Sequence, residues 1–130
     1  MGGQLGDFAL RVDRELLSSN DGLYAFQTPL GTNHLFQGWA DQFLTTPRQG
    51  IRDTFLSASA KIKKAQLLAE YHQFESDFGS IDFGDEFDVG VSYPLMKKLV
   101  GKLEYADYQA GDAGSPPNTR KFWVTLIYNY

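Results

Sequence analysis

Cysteine is missing from all 130 residues, which removes disulfides, thiol catalysis and cysteine-ligated zinc together. That absence fits any compartment, the periplasm and outer membrane included. Long hydrophobic runs are missing too. Apolar stretches extend only a few residues, far short of the roughly 20 that a spanning helix needs, so a helical membrane protein is excluded. There is no basic excess either: twelve Lys and Arg stand against sixteen Asp and Glu, for a net charge of -4. This weighs against a phosphate-backbone binder, and no nucleic-acid partner is expected. The start, Met1-Gly2-Gly3-Gln4-Leu5-Gly6-Asp7, has no basic stretch followed by an apolar one and does not read as a signal peptide. An exported form would then be a processed or excised chain.

Aromatics and glycine are abundant instead: ten Phe, seven Tyr, two Trp and thirteen Gly, a pairing that favours β structure and suits a membrane β-barrel. The dominant pattern has period two. Phe122, Val124, Leu126, Tyr128 and Tyr130 share one face, while Lys121, Thr125 and Asn129 share the other with Trp123 and Ile127. Leu99, Gly101, Leu103 and Tyr105 oppose Lys98, Lys102 and Glu104. In 83–93, Phe83, Phe87, Val89, Val91 and Tyr93 oppose Gly84, Glu86, Asp88, Gly90 and Ser92, with Asp85 breaking the apolar row. Fainter alternation sets Ala65, Leu67, Ala69 and Tyr71 against Gln66, Glu70 and His72. It also sets Leu56, Ala58, Ala60 and Ile62 against Ser57, Ser59 and Lys61, and Phe8, Leu10, Val12 and Leu16 against Arg11, Asp13 and Glu15.

This predicts an all-β, antiparallel, up-and-down meander of about six strands, each roughly 9–12 residues and close to the length of a tilted membrane strand. Residues 1–130 form a single β-barrel segment with one long loop, 18–50. Tight turns near Ile62-Lys63 and at Pro94-Leu95-Met96-Lys97 alternate with loops 18–50, 75–82 and 109–119. Short turns on one side and long loops on the other are the asymmetry of outer-membrane barrels. Six strands in this phase put both termini at the turn end. Tyr93, Tyr128 and Tyr130 then fall at the inner rim as interface anchors, and Phe83, Tyr105, Tyr108 and Phe122 fall towards the outer one. Alternation alone serves equally for a soluble meander with its apolar face inside. The belts and the loop asymmetry favour the membrane.

Two stretches resemble a known family: Phe26-Gln27-Thr28-Pro29-Leu30-Gly31-Thr32, and the more specific run from Phe36 through Gly38-Trp39-Ala40-Asp41-Gln42-Phe43-Leu44-Thr45-Thr46-Pro47. With Tyr71-His72-Gln73-Phe74-Glu75, Tyr105-Ala106-Asp107-Tyr108 and the terminal aromatic strand, they resemble the C-terminal part of alginate-export-like outer-membrane porins. The resemblance implies a passive channel in the bacterial outer membrane of a Gram-negative cell. Its partners would be the lipid bilayer, a polar solute or saccharide, and the barrel-assembly machinery reading the terminal strand. An anionic polysaccharide would need a cationic tract. Here the inward face mixes Arg11, Lys61, Lys102 and Lys121 with Asp13, Glu15, Glu70, Glu86, Asp88 and Glu104. Arg11, Glu70, Glu86, Lys102, Glu104 and Lys121 are the candidate pore-lining residues.

Within loop 18–50, Leu35, Phe36, Trp39, Ala40, Phe43 and Leu44 recur at helical spacing and predict a short amphipathic helix over 34–44. Trp39 and Phe43 are its candidate contacts. Packing on neighbouring loops at the rim is favoured over entry into the pore, although loops beyond ~12–15 residues are usually functional or mobile. His72 beside Glu70 offers two metal ligands, which is too few, and His34 is remote, so no metal site is expected. Asp82, Asp85, Glu86 and Asp88 lack calcium-loop spacing and read as a solvated acidic face. Asp82-Phe83-Gly84 is an accidental kinase triplet, and no nucleophile elbow, Walker or dinucleotide fingerprint is present. No enzyme and no cofactor are expected.

The alternative is a soluble lipocalin-like barrel with Phe87, Val89, Leu103 and Leu126 turned inward around a small apolar ligand. Closing a membrane barrel takes about eight strands. Six long ones therefore imply further strands from the same or another chain.

Overall fold

The computed structural model describes residues 1–28 and 36–130. Among these residues the regular elements are strands: β1 (Gly2–Leu5), β2 (Phe8–Leu17), β3 (Ser19–Asn20), β4 (Tyr24–Ala25), β5 (Ile51–Ile62), β6 (Ala65–Glu75), β7 (Asp82–Met96), β8 (Leu99–Ala110) and β9 (Thr119–Tyr128). Seven of them pair antiparallel in the order β1-β2-β5-β6-β7-β8-β9, and β3 and β4 make a small ribbon inside the first long loop. The sheet is an open meander whose edges are β1 and β9.

The all-β antiparallel expectation holds, with one strand more than about six. The extra strand, β1, folds back on β2 through Gly6-Asp7. It also corrects the placement of the N-terminus. Met1 lies part-way up the sheet, where its ammonium donates to the Val12 carbonyl at 2.7 Å, rather than at the turn end. The other hairpins turn at Lys63-Lys64 and Lys97-Lys98, slightly later than predicted. β7 runs on through Pro94, which lacks an N–H, and its register slips between Pro94 and Met96.

Register aligns the outward side chains into rows. Phe8, Ala60, Leu67, Val91, Leu103 and Val124 form one row. Leu10, Ala58, Ala69, Val89, Tyr105 and Phe122 form the next towards the long loops. A polar row of Arg14, Thr54, Gln73, Asp85 and Gln109 borders this band at the loop end. The opposite border is stepped. The β1–β2 hairpin turns beyond the Phe8 row, the β5–β6 hairpin turns one row further at Ile62 and Ala65, and β8 and β9 reach a second row at Leu99 and Tyr128. Two rows of about 6.8 Å, gained over five strand spacings of about 4.8 Å, make a slope of roughly 30°.

The buried core lies on the other, concave side and only at the loop end. Leu17, Ile51, Phe74, Phe83 and Tyr108 meet Trp39, Ala40 and Phe43 of the long loop there. Phe83 and Tyr108 therefore do not belong to an outer aromatic belt. Phe83 is an extra residue in β7, between the Glu75–Asp82 and Phe74–Gly84 pairs, and this bulge shifts it out of the Phe87–Val91 phase. Tyr108 sits in register with Glu86, and its hydroxyl donates to the Phe83 carbonyl. Tyr105 and Phe122 keep the outward placement expected of them.

Gly84 makes the bulge feasible. Its φ is +104°, and a Cβ there would meet the Gln109 carbonyl oxygen at 2.0 Å. Replacing Gly84 with Ala is expected to lower the unfolding free energy by about 1–3 kcal/mol or more, because strain and clash coincide. Gly3→Ala, where a Cβ meets nothing within 4 Å, is expected to change it by less than about 0.5 kcal/mol. Urea unfolding of the two variants checks the ranking, and equal stabilities would mean that the bulge is not a fixed part of the fold.

Candidate functional site: the concave face and its inserted loop

Polar side chains accumulate on the concave face because the outward rows hold the apolar ones. Asp53, Phe55, Ser57 and Ser59 of β5 face Phe74, His72, Glu70 and Leu68 of β6. These in turn face Gly84, Glu86, Asp88 and Gly90 of β7. Beyond them come Tyr108, Ala106, Glu104 and Lys102 of β8, then Thr119, Lys121, Trp123 and Thr125 of β9. All six candidate lining residues lie on this one face, Arg11 included through its pairing with Ser57.

Residues 36–47 fold down onto the loop-end half of the face. They form turns rather than the predicted helix, and positions 34 and 35, with His34, lie outside the described residues. The reason is local. Gln37, Gly38 and Asp41 have φ of 56°, 79° and 55°, values that no helix accommodates. This backbone aims consecutive N–H groups at two carboxylates. The Ala40 N–H donates to Glu86 Oε1 at 2.6 Å, and the Trp39 N–H donates to Asp88 Oδ2 at 3.2 Å. Glycine at 38 is required by space as well as by φ, since a Cβ would lie 2.5 Å from the Glu86 carboxylate. Glu86 and Asp88 are both fully buried, which corrects their reading as a solvated acidic face. Asp85, also assigned to that face, points outward instead.

Side chains secure the same loop. The Trp39 indole N–H donates to Glu70 Oε2 at 3.1 Å, and Ser57 donates to Glu70 Oε1 at 2.8 Å. The Gln37 amide donates to Glu15 at 2.9 Å, and Lys121 reaches Asp41 at 3.5 Å. Phe43 packs against Phe74, Phe83 and Tyr108, with ring centroids 4.8, 5.9 and 5.9 Å away. Trp39 and Phe43 thus contact strands inside the concave face, and Phe43 also borders residues Ile81, Ala113 and Pro116 of the neighbouring loops.

Lining candidates divide accordingly. Arg11, Glu70, Lys102 and Glu104 border an open cavity of about 650 Å³ together with Trp39. A second cavity of about 470 Å³ lies towards the turn end, with Trp39 and Lys102 common to both. Glu86 lines neither, because the loop covers it, and Lys121 is engaged with that loop. The charges that remain are paired two residues apart on a strand: Arg11 with Asp13, and Lys102 with Glu104 at 2.5 Å. Tyr93 and Tyr128 stand exposed on the outward face near the turn end, and Tyr130 lies exposed just past β9.

Asp53 escaped the sequence reading. It is buried, with its two oxygens 3.0 and 2.9 Å from His72 Nδ1. Extending the Ser59–Ser57 phase back by four residues would have placed it on the face of His72. Comparison with protein-family models, curated proteins and solved structures yields no match.

Phe43→Ala is expected to destabilise the protein by about 3–5 kcal/mol, as befits a core aromatic. Its neighbour Leu44, 51% exposed, is expected to lose less than about 0.5 kcal/mol on the same change. Equilibrium unfolding distinguishes an inserted loop from one lying free of the sheet, for which both variants would behave alike.

Proposed function

We propose that the chain is a section of an outer-membrane β-barrel channel, porin-like in kind, that passes polar solutes along its concave face. The carrying observation is the inversion of its faces. Val124 and Leu126 are each 66% exposed, and Phe122 and Phe8 are 64% and 60% exposed, while Glu86 and Asp88 are fully buried. A water-soluble sheet would expose its charges and bury these rows. Contiguous apolar surface on this scale marks contact with a membrane or another protein. The band spans three rows on β2 and four to five from β5 to β9 at about 6.8 Å each, so along strands tilted by ~40° it stands roughly 15–25 Å tall, approaching the height of a barrel's lipid-facing belt. The stepped turn-end border, with its slope of roughly 30°, approaches the strand tilt that barrel closure requires.

The resemblance to alginate-export-like porins supports the same reading. The open edges of β1 and β9 call for further strands, since unpaired backbone is costly in lipid. Exposed Tyr128 and Tyr130 at the end of β9 suit both interface anchoring and recognition by assembly machinery. The lipocalin-like alternative needs Phe87, Val89, Leu103 and Leu126 around an internal cavity. All four stand on the exposed face.

Two experiments test the reading. In folding into lipid vesicles, Val124→Arg is expected to cost about 2–4 kcal/mol, and Thr125→Arg on the concave face much less. A chain that remains a folded monomer in buffer without detergent would sink the proposal. In planar bilayers, Lys102→Glu is expected to shift ion selectivity towards cations and Glu104→Lys towards anions. Conductance indifferent to both would remove these side chains from the conducting path.

A further inference from the structure

Beside Trp39, the concave face brings together three potential ligand groups, two of which, His72 and Asp88, keep a buried atom without a hydrogen-bond partner. Glu70 and Asp88 are direct register partners on β6 and β7, and His72 lies one inward position along β6. One ligand atom from each of the three lies within 4.8 Å of the others. The sequence offered two of these residues as neighbours, and strand pairing supplies the third.

His72 is the informative member. It is buried, 4% exposed, and its ring is stacked between Phe55 and Phe74, with centroids 4.8 and 5.6 Å away. Both oxygens of Asp53 lie at hydrogen-bond distance from Nδ1, an arrangement in which a neutral ring carries its proton there and turns the Nε2 lone pair towards the site. Nε2 has no hydrogen-bond partner among the described residues, and neither does Asp88 Oδ1, though both atoms are fully buried. Nε2 lies 3.7 Å from Asp88 Oδ2. That is too long for a hydrogen bond and close to the roughly 3.4 Å edge between two donors on a tetrahedral ion with ~2.0–2.1 Å bonds. Charge points the same way. Asp53, Glu70, Glu86 and Asp88 gather around a single imidazole, and buried carboxylates need positive charge or strong donors to remain there. The loop contributes only backbone and indole N–H groups.

We propose that Glu70, His72 and Asp88 bind a divalent cation of the zinc type, with Asp53 as the outer carboxylate that orients His72. A mixed set of one imidazole and two carboxylates suits zinc better than calcium or magnesium, which prefer all-oxygen shells. Glu70, half-buried and bordering the 650 Å³ cavity, provides the way in and is the ligand that moves to close the shell. Because Trp39 donates to both Glu70 and Asp88, an ion here would also lock the inserted loop to the strands.

The test is titration of the folded, chelator-stripped protein with zinc chloride in a calorimeter, in whatever medium keeps it monodisperse. It does not depend on channel activity, so its failure and that of the channel reading are separable. One zinc ion per chain is expected. Affinity should fall by more than about 100-fold in His72→Gln or Asp88→Asn, and by about 10–100-fold in Asp53→Asn. Glu70→Gln, at the least buried ligand, covers the case in which the core variants do not fold. Cobalt(II) in place of zinc should give the intense visible bands of a four-coordinate site. Absence of zinc uptake, equal affinity in wild type and Glu70→Gln, or the pale spectrum of hydrated cobalt would each overturn the proposal.

Discussion

Burying Glu86 and Asp88 is the constraint on which the rest of the concave face depends. A sheet with apolar outward rows leaves its alternate positions for polar groups, and these two fall where Phe43, Phe74 and Tyr108 exclude water. An unmet carboxylate there would cost several kcal/mol. The donors that meet Glu86 and Asp88 come from the long loop, as consecutive N–H groups of Trp39 and Ala40. The loop must therefore enter the concave face. Its backbone must take left-handed values at Gln37 and Gly38, and its aromatics must fill the remaining space. Core, loop conformation and cavity shape follow from a single electrostatic requirement.

The same requirement explains why the core is confined to one end. Below Trp39 the concave face carries Ser57, Ser59, Ser92, Lys102 and Thr125, which do not pack into a dry interior, and the face opens into cavities there. On the outward side the apolar rows continue past this point to Leu99 and Tyr128. Apolar surface outside polar surface over that length calls for an apolar partner on the outside, another protein or lipid. On the channel reading proposed above that partner is the bilayer, and the face inversion supports it more directly than strand length does.

Much of this was legible from residue order. The phases of β2, β5, β6, β8 and β9 follow from alternation, fainter in the first three, because each strand has one face in contact with something apolar. Three features were hidden, each for a physical reason. Gly2-Gly3-Gln4-Leu5 carries no alternation, since β1 is a four-residue edge strand with little to bury. Phe83 was assigned outward because period two cannot register an inserted residue, although Gly84 beside it is the kind of residue at which a bulge forms. Residues 36–44 show helical spacing because the loop has apolar groups to bury, yet spacing reports burial and not backbone geometry. The glycine at 38 was the visible objection to a helix. The ligand set of Glu70, His72 and Asp88 was beyond reach, because two of its members are neighbours only through the β6–β7 register.

On the channel reading, the pairing of charges constrains what this part of a lumen can favour. Arg11 lies against Asp13, Lys102 against Glu104, and Lys121 against Asp41, so each of these three cations has an acidic neighbour, and Lys61 lies apart from them towards the turn end. A string of such pairs keeps the surface wet while cancelling most of its field beyond a few ångströms. A polyanion threading the pore would need uncompensated positive charge along its path. These strands offer little of it, Lys61 at the turn end being a single charge. They are suited to neutral or zwitterionic polar solutes that exchange water for hydroxyl and carboxylate partners, with Trp39 as the apolar surface against which the less polar face of such a solute can slide. Any preference for anions would have to come from strands that pair with the free edges of β1 and β9.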